Sequence, residues 1–356
     1  MRASTTIGLS LALALALGVA AGPAAAGHAP DAARTPTARS ATPPRKLALG
    51  VSIPDGRDLS QLDAFRASIG GQRVATWTVW SQWGKESTSA FPFETAEGIR
   101  ARGAVPLIWW EPLDPDDWSD TTYTRNLNIA SGMHDAYIRA FADAAKAYGG
   151  TVLLRFAHQP NSDYLPWGWD YSPSDDNTIA TFKQMWRHVV RVFRQQGARN
   201  VKFLWSMATQ TCNGDCLARP LGYPGDRWVD YLAFTWENWG EAPPDSVVPS
   251  RPTVSMLAGY RPIVRRLKQI SDKPIIAVAT ASSPDGGIQA RWIREGYRQV
   301  YRALPRIVAI MYLDVDLSGA PSHHRDWSMS PASLAEYAAI AALPRFQGRI
   351  PHWSKR

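Results

Sequence analysis

Residues 152–161 read VLLRFAHQPN, an apolar run that leads directly into His158, Gln159 and Asn161. A short apolar run that ends at a turn residue such as Pro160 is typical of a buried strand. In chains that alternate strands and helices, the carboxyl ends of the strands form the usual ligand site, so these polar side chains indicate catalysis or binding. A structural alternative is that Gln159 and Asn161 only satisfy backbone groups in a tight turn.

Other apolar runs of strand length recur along the chain, with amphipathic segments between them. The runs are LALGVSI at 47, RVATWTVW at 73, AVPLIWW at 104, TVLLRFAH at 151, VKFLWS at 201, DYLAFTW at 230, PIIAVATAS at 274 and RIVAIMYLD at 306. The helical candidates are 58–69, 92–102, 132–148, 177–196, 254–270, 288–303 and 331–342. This alternation predicts a single (β/α)8 TIM barrel. The alternative is a doubly wound sheet, but no Gly-rich phosphate loop follows the first strand.

The first 46 residues differ in composition from the rest of the chain. Residues 1–26 carry an early Arg, an apolar run and, at residues 24–26, the small residues AAA that are typical of a cleavage site. This is the pattern of a secretory signal peptide. Residues 27–46 are rich in Ala, Pro, Thr and Arg and are expected to form a disordered linker. No later run reaches the roughly 20 apolar residues of a membrane span. We therefore expect a secreted protein with its barrel over residues 47–356.

The excess of basic residues is concentrated near the start of the chain. The protein has 39 basic and 31 acidic residues, and five of the basic residues but only Asp31 among the acidic ones lie before residue 47. The remaining chain is nearly balanced, and no basic stripe indicates a nucleic-acid binder. The linker can contact anionic cell-wall polymer by charge, and the barrel is expected to be a monomer.

Two segments contain residues that often bind metals. Cys212 and Cys216, in TCNGDC, are close together in a chain expected to be exported, which favours a local disulfide over a two-ligand metal site. The segment DVDLSGAPSHHRDW contributes five further potential ligands: Asp314, Asp316, His323, His324 and Asp326. Their spacing matches no standard site, and a solvated loop is the favoured interpretation. We expect neither a metal nor a cofactor.

Aromatic and polar side chains follow several of the predicted strands, and the chain has 16 Trp residues. Indole and phenol rings offer flat apolar faces with a polar edge, which suits the C–H faces and hydroxyls of a pyranose. The alternative is that these rings pack in the barrel core. The candidate sugar-binding residues are Trp110, His158, Asn161, Trp167, Trp236, Trp239 and Tyr312.

Four long motifs carry a resemblance to a known family. They are VLLRFAHQPNSDYLPWG, FKQMWRHVVRVFRQQGARNVKFLWS, YPGDRWVDYLAF and KPIIAVATAS, and they begin at residues 152, 182, 223 and 273. In this order they resemble glycoside hydrolase family 26 of the endo-β-mannanase type. The resemblance implies a retaining (β/α)8 glycosidase, with an acid/base Glu after the fourth strand and a nucleophilic Glu after the seventh.

The chain departs from that pattern at the positions that carry the chemistry. The family's His-Glu-Met-Asn corresponds here to His158-Gln159-Pro160-Asn161, and its nucleophilic Glu corresponds to Ala279. Glu237 stands at the position of a family Tyr. Retaining hydrolysis needs two carboxyl groups about 5 to 5.5 Å apart, and neither an amide nor a methyl group can replace them.

Two classes of function remain. The first is an exported carbohydrate-binding protein on a degenerate barrel, with a β-linked polysaccharide or oligosaccharide as its partner. The second is an active β-glycan hydrolase or transglycosylase of the mannan type, in which other carboxylates have taken over. Glu111, Glu237 and Asp314, which lie at predicted strand ends, are the candidates for that role. We favour binding without hydrolysis, because likeness of fold supports the location of a site but not its chemistry.

Overall fold

Eight parallel strands close into a barrel in the order in which they occur in the chain, and β8 pairs with β1. The computed structural model describes residues 45–53, 56–171, 176–210, 212, 214–241, 251–284, 287–319 and 325–351. The strands are β1 (Ala48–Ser52), β2 (Thr76–Gln82), β3 (Val105–Glu111), β4 (Val152–Phe156), β5 (Val201–Met207), β6 (Tyr231–Asn238), β7 (Ile275–Ser282) and β8 (Ile307–Leu313). The TIM barrel is confirmed, and the closed strand order excludes the doubly wound sheet.

Within the described residues, α-helices follow every strand of the barrel except β5, which is followed by a 3-10 turn at Asp226–Trp228. They are α1 (Leu59–Ser68), α2 (Glu86–Ser89), α3 (Phe93–Ala101), α4 (Thr121–Thr124), α5 (Asn126–Ala130), α6 (Asp135–Tyr148), α7 (Ile179–Gln196), α8 (Met256–Lys268), α9 (Ile288–Ala303) and α10 (Pro331–Ala341). The strands and long helices that the sequence predicts all occur. The short α2, α4 and α5 were not predicted, because four or five residues are too few for a hydrophobic period to show. A two-stranded ribbon, β9 (Asp316–Leu317) and β10 (Arg325–Asp326), follows β8.

The longest helix shows how local sequence signals set the boundaries. Thr178 and Thr181 form a reciprocal capping box at the start of α7, and Gly197 ends the helix in the left-handed conformation at φ 78°. An N-cap of this kind contributes about 1 kcal/mol. The buried side of α7 includes Phe182, Trp186 and Phe193, which pack on the barrel.

Alternation along the strands separates two cores. Inward-facing residues such as Leu107, Leu153, Leu204 and Met311 fill the barrel interior. Their neighbours in sequence face outward and pack under the helices in a larger cluster. Because successive side chains on a strand point to opposite faces, the parity of each position decides which core it joins.

The pairing register of the strands is irregular within β6 and β7. The pairing of these two strands shifts between Phe234 and Thr235, and that of β7 with β8 shifts between Ala277 and Thr280. Such irregularities redirect side chains and are frequent beside functional sites. Ala279 lies within the shifted part of β7.

The beginning of the packed chain differs from the predicted boundary at residue 47. Arg45 belongs to the predicted linker, but its guanidinium donates hydrogen bonds to the carbonyls of Tyr301 and Ile307, at 2.7 and 2.8 Å. It also lies over the ring of Tyr301. Residues 45 and 46 therefore belong to the barrel unit, since tertiary contacts override the linker-like composition. Within the described residues, none of the helices has the length and apolar content needed to cross a membrane.

Candidate functional site

A cleft of about 300 Å³ lies at the carboxyl end of the barrel. Three indoles, a phenol and several aliphatic side chains form most of its surface. Its lining residues are Trp80, Trp109, His158, Gln159, Tyr164, Thr235, Glu237, Trp239, Ala279, Leu313, Val315 and Leu317. Gln159 and Ala279, the two positions at which the sequence resemblance expects glutamates, therefore face the same cleft.

The turn after β4 holds two residues in an unfavourable backbone conformation. Ala157 and Gln159 have φ angles of 38° and 50°, in the left-handed region that residues other than Gly rarely adopt. Each such residue costs on the order of 1–3 kcal/mol, so the surrounding contacts must hold it. The Gln159 N–H donates to the Ser206 carbonyl at 2.8 Å, and the Trp167 indole donates to the His158 carbonyl at 2.7 Å. This backbone conformation places the side chains of His158 and Gln159 in the lining of the cleft.

Both ends of the Gln159 amide are engaged. Its Nε2 donates to the hydroxyl of Thr235 on β6, and its Oε1 accepts from the Tyr164 hydroxyl at 3.1 Å. These contacts span the cleft wall from β4 to β6. An amide in this position can donate and accept hydrogen bonds, but it cannot supply the proton that a departing sugar needs.

His158 is a buried, neutral imidazole. Its ring lies 5.3 Å from both Trp109 and Trp167, centroid to centroid. Burial first, and then the positive charge of Arg155, hold the pKa of His158 well below its ordinary value. Its Nδ1 lies 3.8 Å from Glu111 Oε1, which is too far for a hydrogen bond. His158 therefore carries no charge at neutral pH.

Two carboxyl groups lie near the cleft, and burial is the largest influence on both. It raises the pKa of Glu111 and of Glu237 to about 7, against the opposing effect of Arg155. Glu237 lines the cleft, whereas Glu111, at the end of β3, is not among the lining residues and accepts from the Gln82 amide at 3.2 Å. The side chain of Gln210 makes two hydrogen bonds to the backbone of Glu237, each of 2.8 Å, and fixes the end of β6.

Arg155 occupies the barrel interior below the cleft. Its guanidinium stacks on the Trp109 ring at 4.0 Å and donates to the Ser206 hydroxyl at 3.0 Å. Burial lowers the pKa of Arg155 to about 9, so the guanidinium is still charged at pH 7. Sequence reasoning did not single out this residue, because an Arg within an apolar run shows no partner until the barrel closes. Its charge supports the ionised forms of Glu111 and Glu237.

Three predicted sugar-binding residues point away from the cleft. Trp110 is fully buried under the helices and donates to the Tyr137 hydroxyl. Trp236 packs beside Tyr260 and Trp292, and the hydroxyl of Tyr312 accepts from Gln289. The prediction that these three rings face the cleft is wrong for one reason: successive side chains on a strand point to opposite faces, and these rings lie on the outer face. Each of these rings is one residue removed from a position that faces the cleft: Trp109, Thr235 or Glu237, and Leu313.

Asn161 and Trp167 lie behind the cleft rather than in it. Both are completely buried. The Asn161 side chain accepts from the Ala208 N–H at 2.8 Å and donates to the Ala208 and Cys216 carbonyls. It thus ties the turn after β4 to the loop after β5, where Cys212 and Cys216 form a disulfide. Of the predicted binding residues, only His158 and Trp239 line the cleft.

Asp314 is separated from the other carboxyl candidates. It faces a different pocket, and its Oδ1 accepts from the Met329 N–H at 2.8 Å. Asp316 and Asp326 each accept from a nearby backbone N–H, while His323 and His324 lie outside the described residues. Within the described part of the chain, the structure contains no group of three or more side chains arranged to hold a metal ion.

Several lining residues could have been found by counting along the strands. Taking Glu111 and Glu237 as facing the mouth and stepping back by two gives Trp109 and Thr235. Tyr164, Val315 and Leu317 carry no such signal, because they lie in loops or in a two-residue strand whose direction depends on tertiary contacts.

Known proteins resemble this chain in sequence. The profile of glycosyl hydrolase family 26 matches residues 121–240. Endoglucanase H from Acetivibrio thermocellus is 31% identical over 298 residues, which are 82% of this chain and 30% of that protein. A mannan endo-1,4-beta-mannosidase from Bifidobacterium adolescentis is 24% identical over 187 residues, which are 49% of this chain and 17% of that protein. The chain thus spans less than a third of either relative.

Solved structures show the same fold. A GH26 beta-mannanase from Bacteroides ovatus aligns with a TM-score of 0.58 at 15% identity, over 88% of this chain and 95% of the other. The YdhT protein from Bacillus subtilis aligns with a TM-score of 0.59 at 14% identity, over 86% and 87% of the two chains. In its sequence motifs and in its barrel, this chain resembles glycosyl hydrolase family 26.

Proposed function

We propose that this chain is an exported member of glycosyl hydrolase family 26 that binds a β-linked glycan in its cleft without hydrolysing it. One observation carries the proposal: Gln159 and Ala279 present an amide and a methyl group to the same cleft. At these two positions the family resemblance implies the acid/base and the nucleophile, and this chain has neither carboxyl group. Loss of one member of a cooperating catalytic set can remove nearly all of the acceleration, so loss of two leaves little.

The surface that remains suits a sugar. Trp80 and Trp109 are each partly exposed and meet edge to face, with ring centroids 5.3 Å apart. Stacking of a pyranose on an indole needs no ionised group. The names of the relatives refer to an endoglucanase and to a mannosidase, which supports gluco- and manno-configured chains as ligands.

Calorimetric titration with manno- and gluco-oligosaccharides tests binding. We expect Trp80→Ala and Trp109→Ala each to weaken the affinity by roughly tenfold, because each removes a stacking face. Trp118→Ala is the matched control, since this indole is 44% exposed and lies outside the cleft lining. Absence of binding to every ligand, or affinity unchanged by both cleft variants, would refute the proposal.

A second candidate is hydrolysis or transglycosylation by relocated carboxyl groups. It is favoured by the burial of Glu111 and Glu237, which raises the pKa of each to about 7, a value suited to proton transfer near neutral pH. Release of reducing ends from mannan, glucomannan or mixed-linkage β-glucan would support it. The activity must then disappear in Glu111→Gln or Glu237→Gln and persist in Glu86→Gln, an exposed carboxyl on α2.

A further inference from the structure

Four of the residues that line the cleft are aliphatic and belong to β7, to the end of β8 and to the segment that follows it. They are Ala279 of β7, Leu313 at the end of β8, Val315 and Leu317 of β9, and we call this set the aliphatic wall. The backbone of Val315 is held by the Trp327 N–H, which donates to its carbonyl at 2.8 Å. The aliphatic wall therefore presents methyl and methylene groups to the cleft and offers no polar side-chain atom.

Such a wall is a poor surface for an unsubstituted sugar. A sugar hydroxyl turned toward it would lose water and gain no hydrogen bond, which is unfavourable. The aromatic rings of Trp80 and Trp109, which line the same cleft, can receive the flat face of a pyranose. The aliphatic wall is suited instead to an apolar substituent that projects from the ring.

A hydrogen-bond donor lies next to the aliphatic wall. Thr235 of β6 is the register partner of Ala279 on β7, so their side chains are neighbours. The Thr235 hydroxyl accepts from Gln159 Nε2, and a hydroxyl that accepts in this way retains its own proton for another acceptor. Within the part of the chain that the structure describes, no protein group accepts that proton. Because Thr235 lines the cleft, a ligand oxygen can accept it.

Building on the proposed function, we propose that the bound glycan carries acetyl groups, and that the cleft selects them. The carbonyl oxygen of the acetyl group accepts from the Thr235 hydroxyl, and its methyl group packs on the aliphatic wall. An acetyl group joins a carbonyl acceptor and a methyl group at one carbon, which matches a donor placed directly beside an apolar surface. The group is attached to the sugar either as an amide or as an ester.

Calorimetric titration of the wild-type protein with two pairs of ligands distinguishes amide-linked from ester-linked acetyl groups. Chitotetraose and cellotetraose share a β-1,4 linkage and differ only in the acetamido groups. Acetylated glucomannan oligosaccharides and their alkali-deacetylated counterparts differ only in ester groups. We expect the acetylated member of at least one pair to bind roughly tenfold more tightly, from one hydrogen bond and one buried methyl group.

Two independent variants test the residues. Thr235→Val removes the donor but keeps the shape, and should reduce the preference for the acetylated ligand to less than about threefold, while Thr235→Ser should retain it. Leu317→Asn places an amide in the aliphatic wall and should have the same effect, with Leu317→Met as the volume-matched control. Each variant is first checked for a folded circular dichroism spectrum and for binding of the unacetylated ligand.

The outcomes are distinct. Equal affinity within both ligand pairs, or a preference that survives in both Thr235→Val and Leu317→Asn, overturns the proposed acetyl specificity and leaves glycan binding intact. Failure of every oligosaccharide to bind overturns the proposed function itself, and the acetyl specificity with it.

Discussion

The carboxyl of Glu111 owes its raised pKa to burial. It ends β3 with 9% of its surface exposed, and only the Gln82 amide and the charge of Arg155 favour its ionised form. Burial outweighs both and raises its pKa to about 7. Glu237 has the same value but is partly exposed, so water screens it more effectively.

This pKa predicts the direction in which stability changes with pH. In the unfolded chain Glu111 has its ordinary pKa near 4.5, so folding favours the protonated form. The stability it contributes is complete below about pH 4.5 and is lost as the pH rises through about 7. We expect Glu111→Gln to remove on the order of 2 kcal/mol of the decrease in unfolding free energy between pH 5 and 8.

Urea denaturation at a series of pH values measures how the unfolding free energy changes with pH. Glu86→Gln, at an exposed carboxyl on α2, is the control and should show the slope of the parent protein. An unchanged slope in Glu111→Gln would show that this carboxyl is ionised equally in the folded and unfolded chains.

The turn after β4 depends on the loop after β5. Gln159 is held in a left-handed conformation, and Asn161 connects the turn to Ala208 and Cys216. Cys212 Sγ also lies 3.3 Å from the Asn161 carbonyl oxygen. The loop closed by the Cys212–Cys216 disulfide therefore packs against and stabilises the strained turn that contains His158 and Gln159.

Removal of the disulfide should affect both stability and binding. A closed loop of about five residues corresponds to about 2 kcal/mol of chain entropy, so Cys212→Ser with Cys216→Ser should lower the unfolding free energy by that amount. Glycan affinity should also fall, because the strained turn loses part of its support. Titrations of oxidised and reduced wild type check this, and the double variant should not respond to reductant. A loss of stability with unchanged affinity would mean that the loop does not position Gln159.

Closure of the barrel involves residues whose composition resembles that of a linker. Arg45 lies just before β1 and reaches the carbonyls of Tyr301 and Ile307, near the start of β8. The Tyr301 hydroxyl donates in return to the Arg45 carbonyl at 2.8 Å. These contacts join the two ends of the strand sequence at the seam where β1 meets β8.

A chain that begins at Leu47 should therefore be less stable than one that begins at Pro44. The expected loss of unfolding free energy is about 1–3 kcal/mol, since charged hydrogen bonds to two carbonyls are removed. Arg45→Met in the longer chain should reproduce most of the loss, and urea denaturation measures both. Equal stability of the two chains would show that the seam does not depend on Arg45.

Much of the fold follows from the sequence alone. Apolar runs of strand length, amphipathic segments with helical periodicity and the alternation between them predicted the eight strands and the long helices of the barrel. The location of a cleft at Gln159 and Ala279 followed from the family motifs. These features are local or ordered along the chain, so a single sequence contains them.

The arrangement of the side chains in the cleft depends on contacts that form only when the barrel closes. Trp110 and Trp109 are adjacent and alike in sequence, yet parity buries one under the helices and exposes the other to the cleft. The pairing of Thr235 with Ala279 depends on a register shift in the middle of β6. The stacking of Arg155 on Trp109 requires two strands separated by more than 40 residues to meet. Direction, register and long-range contact are properties of the closed barrel, and composition and spacing do not contain them.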